Sequence, residues 1–113
     1  MADDDKIHEY IKLKYPTKYA TYSLYEDNTD TLKHPDSVFI EGKVFIYQKA
    51  DNIFTNIPYC SKIINKPTYG DILQLCDDMI IHIEDYHHHF LEDISIVKQI
   101  SEDTYELEVF LGS

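Results

Sequence analysis

The chain has 113 residues, 43% hydrophobic content and only three glycines, which predicts one compact globular domain over residues 1–113 and excludes a disordered tail. Its formal net charge is −11, and all ten basic residues are lysine. The charge is uneven, because residues 1–66 hold nine lysines against ten acidic residues, whereas residues 67–113 hold one lysine against eleven. Since nucleic-acid backbones are bound by clustered basic side chains, this distribution disfavours nucleic-acid binding.

The sequence also disfavours a membrane or secreted location. No apolar run approaches the roughly 20 residues that span a bilayer, and the acidic N-terminal residues differ from a secretory signal. Two cysteines and the lack of an Asn-x-Ser/Thr sequon are typical of a reducing environment. We therefore expect an intracellular protein that is neither secreted nor bound to a membrane.

The first predicted element is a short helix over residues 2–15. Ile7, Tyr10 and Ile11 form its apolar side, and acidic residues at its start suit the positive end of the helix dipole. Pro16 ends the helix because proline disfavours the helical conformation in the residue before it. This helix is expected to pack against the rest of the domain.

A β-rich region follows. Residues 20–25 alternate polar and aromatic side chains, which is typical of a strand, and residues 26–35 form a polar loop. Residues 37–49 give the strongest strand signal in the first half, in two β-rich runs separated by Glu41-Gly42. This predicts a hairpin that turns at 41–42, with one long strand and a glycine bulge as the alternative.

Residues 51–66 have no clear period. Their apolar residues recur without the spacing of a helix or a strand, and Pro58 interrupts any central strand. We expect an irregular connection there with one short strand at 61–64.

The clearest element is an amphipathic helix over residues 69–85. Thr68 is suited to cap the first turn, and Asp71, three residues later, can reach back to the cap in a capping box. At about 100° per residue, six apolar side chains fall on one face. They are Ile72, Leu75, Cys76, Met79, Ile80 and Ile83.

The other face of this helix is acidic and includes one aliphatic residue, Ile81. Its acidic residues are Asp71, Asp77, Asp78, Glu84 and Asp85. Such a concentration of negative charge can attract a basic partner or imitate a nucleic-acid backbone, or it can simply be a solvated face. Ile81 is either an isolated exposed residue or a contact with another subunit.

The period changes after the helix. Residues 90–100 are rich in β-branched side chains, and residues 101–103 indicate a turn. In residues 105–111 an apolar set alternates with a second set that consists of Glu106, Glu108 and Phe110. These features predict a C-terminal β-hairpin. Taken with the earlier elements, they predict an α+β fold in which the central helix covers one face of a mostly antiparallel sheet.

A histidine-rich segment joins the helix to the hairpin. Its possible metal ligands are His82, His87, His89 and Glu92. If the chain is extended, His87 and His89 point to one side and could bind zinc, nickel or ferrous iron with a carboxylate. If the helix persists, His82 aligns with Tyr86, and Asp85 aligns with His89. The alternative to a metal site is a solvated junction whose histidines cap backbone carbonyls.

Other catalytic patterns are missing from the sequence. The three glycines, Gly42, Gly70 and Gly112, form no phosphate-binding loop. Cys60 lies in a predicted loop without a glycine-rich elbow, and Cys76 lies on the apolar face of the helix. The sequence therefore favours a non-enzymatic protein without a cofactor, apart from the divalent transition metal considered for the histidines.

Two short stretches carry a resemblance. Pro-Thr-Tyr-Gly-Asp-Ile at residues 67–72, the helix after it and His-His-Phe-Leu-Glu at residues 88–92 resemble short uncharacterised proteins of large nucleocytoplasmic DNA viruses. The arginine-free, isoleucine-rich composition is similar to theirs as well. The resemblance covers about residues 67–93. It implies a viral origin, and hence the cytoplasm or nucleus of a host cell, but no activity.

The sequence favours a small protein-interaction module that self-associates as a homodimer. The expected contact is an exposed strand edge or the region around Ile81. Two alternatives stay open. One is a metal-binding protein that uses the histidine-rich segment, and the other is an acidic decoy that binds a basic, nucleic-acid-binding partner through the acidic helix face.

Overall fold

Two helices and a β-sheet share one hydrophobic core in the computed structural model, which describes residues 2–49 and 58–113. The elements are α1 (Ala2–Lys14), β1 (Thr21–Tyr22), β2 (Lys43–Gln48), β3 (Tyr59–Cys60), β4 (Ile64–Asn65), α2 (Tyr69–Ile83), β5 (Phe90–Ser101) and β6 (Thr104–Gly112). Buried side chains of both helices and of the sheet form one hydrophobic cluster. The predicted α+β class is confirmed, in one compact globule whose Cα radius of gyration is 13.8 Å.

The sheet is mixed. Its strands lie in the order β1-β5-β6-β2-β3, and β4 also pairs with β2. The β5–β6, β2–β3 and β2–β4 pairs are antiparallel, whereas β1–β5 and β2–β6 are parallel. Antiparallel pairs therefore predominate, as predicted. Within the shared core, Val44, Ile46, Leu91 and Leu107 of the sheet are almost completely buried.

β5 and β6 form the predicted C-terminal hairpin around a turn at 102–103. β5 has twelve residues and β6 has nine, and three register shifts accommodate the difference. Each shift leaves one β5 residue without a partner on β6. These residues are Glu92, Val97 and Ile100. Shifts of this kind bend a strand and increase its twist.

α2 begins with the predicted capping box. The Thr68 hydroxyl accepts a hydrogen bond from the Asp71 amide at 3.1 Å, and the Asp71 carboxylate accepts one from the Thr68 amide at 3.0 Å. The sheet-facing residues Ile72 and Ile80 are fully buried, as expected from the apolar stripe. The helix ends at Ile83, because Glu84 adopts a left-handed conformation with a φ of 59°.

α1 is also confirmed, and side chains in and just after it bind Asp36. Tyr10 and Tyr15 donate hydroxyl hydrogen bonds to the two carboxylate oxygens, and Lys14 Nζ lies 3.0 Å from Oδ1. These contacts, the tyrosine hydroxyls first, hold the pKa of Asp36 well below its ordinary value. Thr68 donates its own hydroxyl hydrogen bond to Tyr15 at 3.2 Å, so this network joins the end of α1 to the start of α2.

The hairpin predicted across residues 37–49 is wrong, and so is the alternative of one long strand. Only β2 is a strand there. The preceding residues bond to the segment before α2 instead, because the Phe39 amide donates to the Pro67 carbonyl at 2.8 Å and the Ser37 carbonyl accepts from the Tyr69 amide at 3.1 Å. With its backbone groups used in this way, the segment cannot fold back onto β2.

The strand predicted over residues 20–25 is shorter in the structure. β1 contains only two residues, which pair with Phe90 and Leu91 of β5, and Tyr25 forms an isolated bridge with Leu32. The backbone before β1 is unavailable for a longer strand because its amides bind a carboxylate of α2, as described below.

The connection predicted over residues 51–66 is only partly described, since residues 51–57 lie outside the described residues. The strand predicted at 61–64 is wrong, because β3 ends before it and β4 begins at its last residue. Ser61 is buried, and its hydroxyl accepts the Ile46 amide at 2.8 Å and donates to the Lys62 carbonyl at 2.8 Å. This side chain takes the place of a backbone partner and interrupts the strand.

Replacing Asp36 with Asn should lower the free energy of unfolding at neutral pH, because the amide lacks the charge that Lys14 and the tyrosine hydroxyls bind. Since the folded-state pKa of Asp36 is depressed, its contribution is fully present above the unfolded-chain pKa of about 4. It is lost as the pH falls through the lower folded-state value. Urea titrations from neutral pH down to about pH 2 should therefore show the wild-type stability falling towards that of the variant.

Asp30→Asn, in an exposed loop, is the matched control. Its unfolding free energy should depend on pH in the same way as that of the wild type. The assigned role of Asp36 would be contradicted if the difference in unfolding free energy between wild type and Asp36→Asn stayed constant across the acidic pH range.

Candidate functional site

The histidine-rich segment turns tightly around Asp85. After the left-handed residue Glu84, Asp85 Oδ2 lies 2.9 Å from His88 Nδ1, and Oδ1 accepts the His87 amide at 3.3 Å. Asp85 and His88 form an ion pair when the imidazole is protonated. The segment is therefore neither a continued helix nor an extended strand, which were the two geometries predicted for a metal site.

His89 belongs to the start of the sheet. Its Nδ1 lies 3.1 Å from the Thr21 hydroxyl, and its ring centroid lies 4.3 Å from that of Phe90. Its carbonyl accepts the Thr21 amide at 2.7 Å, and its amide donates to the Gly112 carbonyl at 3.0 Å. These contacts direct His89 towards β1 and away from the turn around Asp85.

The remaining predicted metal ligands also have separate neighbours. The His82 ring packs against Tyr59 with the centroids 5.4 Å apart, and the Glu92 carboxylate lies against Gly112. Within residues 2–49 and 58–113, no group of three or more His, Cys, Asp or Glu side chains is arranged to hold a metal ion. The structure does not gather the predicted set, His82, His87, His89 and Glu92.

The acidic face of α2 is smaller than the sequence suggests. Asp71 is engaged in the capping box, and Asp85 is engaged in the turn described above. Asp78 and Glu84 are exposed and can carry negative charge to the surface. Asp77 is only 8% exposed, so the expectation that it lies on the solvated face is wrong.

Asp77 instead binds the backbone between α1 and β1. Its Oδ2 accepts the Lys18 amide at 2.9 Å. Its Oδ1 accepts the amides of Tyr19 and Ala20 at 2.7 and 2.9 Å. A carboxylate that accepts three N–H groups satisfies donors for which the chain here provides no strand or helix partner.

The sequence contains one signal for this second buried side of α2. Leu73 lies one turn before Asp77, outside the predicted apolar stripe, and it is fully buried. An apolar residue and an aspartate four positions apart share one side of a helix. The pairing of Leu73 with Asp77 was not predicted, because Asp77 was grouped with its acidic neighbours.

Most of β5 is paired on one side only among the described residues. β1 pairs only with Phe90 and Leu91, so residues 94–101 have no strand on the side opposite β6 among the residues that the structure describes. We call residues 94–101 the β5 edge. Its exposed aliphatic side chains are Ile96 at 46%, Val97 at 49% and Ile100 at 49%. It contains one lysine and no acidic residue.

Ile81, the other predicted contact, is 42% exposed on α2. Ile81 lies within α2, where backbone groups bind one another along the helix and do not offer a partner strand a row of free hydrogen-bonding groups. The β5 edge therefore differs from the Ile81 surface, because it combines exposed apolar side chains with backbone groups that another strand could bind.

Comparison of the chain with protein-family models, curated proteins and solved structures finds no match. Among the described helices, neither has the length and apolar character needed to cross a lipid bilayer. The functional inference therefore depends on the geometry of this chain alone.

Replacing Asp77 with Asn should reduce the free energy of unfolding by about 2–3 kcal/mol, because one acceptor oxygen becomes an N–H donor and the charge is lost. Asp78→Asn, one position along the same helix but exposed, should change it by less than about 0.5 kcal/mol. Urea denaturation at neutral pH measures both values. Equal effects of the two substitutions would contradict a structural role for the Asp77 carboxylate.

Proposed function

We propose that this chain is a small protein-interaction module without enzymatic activity, which forms a homodimer by pairing its β5 edge with that of a second copy. The observation that carries the proposal is the backbone of residues 94–101, which no described strand pairs on the side opposite β6, together with its half-exposed aliphatic side chains. An edge of this kind is a template for another strand. Antiparallel pairing would join two sheets into one.

Pairing at the β5 edge would bury both polar and apolar groups. Each new backbone hydrogen bond contributes about 0.5–1.5 kcal/mol net. Covering the exposed half of each aliphatic side chain contributes about 1 kcal/mol more. These gains oppose a loss of at least about 4 kcal/mol in translational and rotational freedom. The balance is compatible with a dimer that forms at micromolar concentration.

The charge of the β5 edge favours a second copy as its partner. Two copies that each carry a net charge of −11 repel one another over most of their surfaces. The β5 edge contains Lys98 and no acidic residue, so two copies can approach here without like carboxylates opposite each other. A strongly basic partner would find no complementary charge along these residues.

The register shifts of β5 suggest how two copies would align. Ile94 and Gln99 both pair with core-facing residues of β6, although five positions separate them, because Val97 has no β6 partner. A two-fold axis between Ile96 and Val97 would place Ile94 of one copy opposite Gln99 of the other on the same face. It would also bring the half-exposed side chains of Ile96 and Val97 to the centre of the interface.

The other functions suggested by the sequence have less support. A metal site would need a rearrangement of the turn at 85–89, because the three histidines of the predicted set contact different neighbours. An acidic decoy would depend mainly on Asp78 and Glu84, the exposed members of the predicted face. Contact through Ile81 would bury one exposed side chain without adding backbone hydrogen bonds.

Replacing both Ile96 and Val97 with lysine should convert the dimer to a monomer, because these positions face each other across the two-fold axis and the unpaired charges would enter the centre of the interface. Wild-type protein should show twice the 13.3 kDa chain mass by light scattering at micromolar concentration. The double variant should show the chain mass and still unfold cooperatively, since both positions are about half exposed in the single chain.

Two single substitutions are matched controls. Ile63→Lys, at a side chain that is 59% exposed and outside the β5 edge, should leave the dimer intact. Ile81→Lys tests the second predicted contact and should also leave it intact. If Ile81→Lys alone dissociated the dimer, the interface would lie on α2 and not at the β5 edge. A monomeric wild-type protein would contradict self-association.

Salt should strengthen the dimer. Screening reduces the repulsion between two copies of charge −11, whereas backbone pairing and apolar burial do not depend on it. Sedimentation at about 50 and about 500 mM NaCl should show a several-fold lower dissociation constant at the higher concentration. A dimer that salt weakens would be held by opposite charges, which the β5 edge does not provide.

A further inference from the structure

A cleft opens between α1 and the segment that connects it to β1. It encloses about 400 Å³ and is lined by residues of α1, by residues 16–22 and by Leu73 of α2. This volume lies within the range of sites that bind small organic molecules. No residue of the β5 edge contributes to it.

The lining of the cleft is basic in a strongly acidic chain. Lys12 and Lys18 border it from two different segments, together with His8. None of its eleven lining residues is Asp or Glu, although the chain has 21 acidic residues and ten lysines. A concave surface lined by one sign of charge attracts ligands of the opposite sign, in this case anions.

The rim of the cleft is held in position from behind. Asp77 accepts the amides of residues 18–20, and Thr17 donates its hydroxyl to the Ala20 carbonyl at 2.8 Å. Lys18 Nζ lies 5.9 Å from the centroid of the Tyr19 ring, which borders the same cleft. A rim that is already ordered loses little conformational entropy when a ligand binds.

The apolar surface that the cleft exposes comes from Pro16 and Tyr19, of which Tyr19 is 37% exposed. Ile11, Tyr22 and Leu73 form the floor beneath them and are at most 5% exposed. A bare inorganic ion would leave the exposed apolar surface unused. A ligand with an apolar body could cover it and place a charged group between the two lysines at the rim.

We infer that this cleft binds a small organic anion, in which a phosphate or carboxylate group is attached to a compact apolar body. Lys12 and Lys18 bind the anionic group, His8 donates a further hydrogen bond, and Pro16 and the Tyr19 ring contact the body. The inference goes beyond the proposed dimer and does not depend on it, because the two surfaces share no residue.

Phenyl phosphate and benzoate test the inference. The compound with the lower dissociation constant identifies the preferred charged group. Titration of ¹⁵N-labelled protein, followed by amide NMR signals, should give saturable shifts confined to residues 8–22 and the neighbouring part of α2. Dissociation constants should be on the order of 1 mM for ligands of this size. Benzyl alcohol, which has the ring without the charge, should give no saturable shift.

A double variant, Lys12→Gln with Lys18→Gln, should weaken binding of the better anion about tenfold, because two charge-assisted contacts are lost. Both lysines are exposed, so the remaining NMR signals should be unchanged. Lys62→Gln, at an exposed lysine outside the cleft, should bind as wild type. The inference is overturned if neither anion gives saturable shifts, if benzyl alcohol binds equally well, or if the double variant binds as tightly as wild type.

Discussion

The carboxylate of Asp77 determines where the first part of the chain lies. By accepting three amides of residues 18–20, it fixes the path from α1 to β1 against the side of α2. β1 then pairs with the start of β5, and the same backbone forms the rim of the basic cleft. One hydrogen-bonded charge thus positions an edge strand of the sheet and the candidate anion site.

The features that the sequence predicted best are those set by near neighbours along the chain. The capping box of α2 involves residues three positions apart, and the C-terminal hairpin closes through a two-residue turn. The hairpin predicted at 41–42 failed because residues 37–42 bond to residues 66–69, a segment 24 to 32 positions later in the chain. Periodicity describes which face of a segment is apolar but does not identify a distant partner strand.

The candidate sites also differ in whether near neighbours or remote parts of the chain determine them. The exposure of Ile81 could be predicted from the helical period, whereas the position of the β5 edge depends on strand order. The histidines are neighbours in sequence, but the left-handed residue Glu84 and the turn around Asp85 give them different partners in space. Asp77 was predicted on the solvated face because its hydrogen-bond donors are backbone amides from a remote part of the chain, which helical periodicity does not reveal.

The parallel pairing of β2 with β6 has a consequence for how the protein reaches its native state. About sixty residues separate the paired positions, so a long loop must close before these contacts can form. Chains dominated by such remote pairings fold slowly. During translation, β2 would leave the ribosome well before β6, with Val44 and Ile46 uncovered. Chaperone engagement should therefore be concentrated in this interval, and docking of the hairpin onto β2 should limit the folding rate.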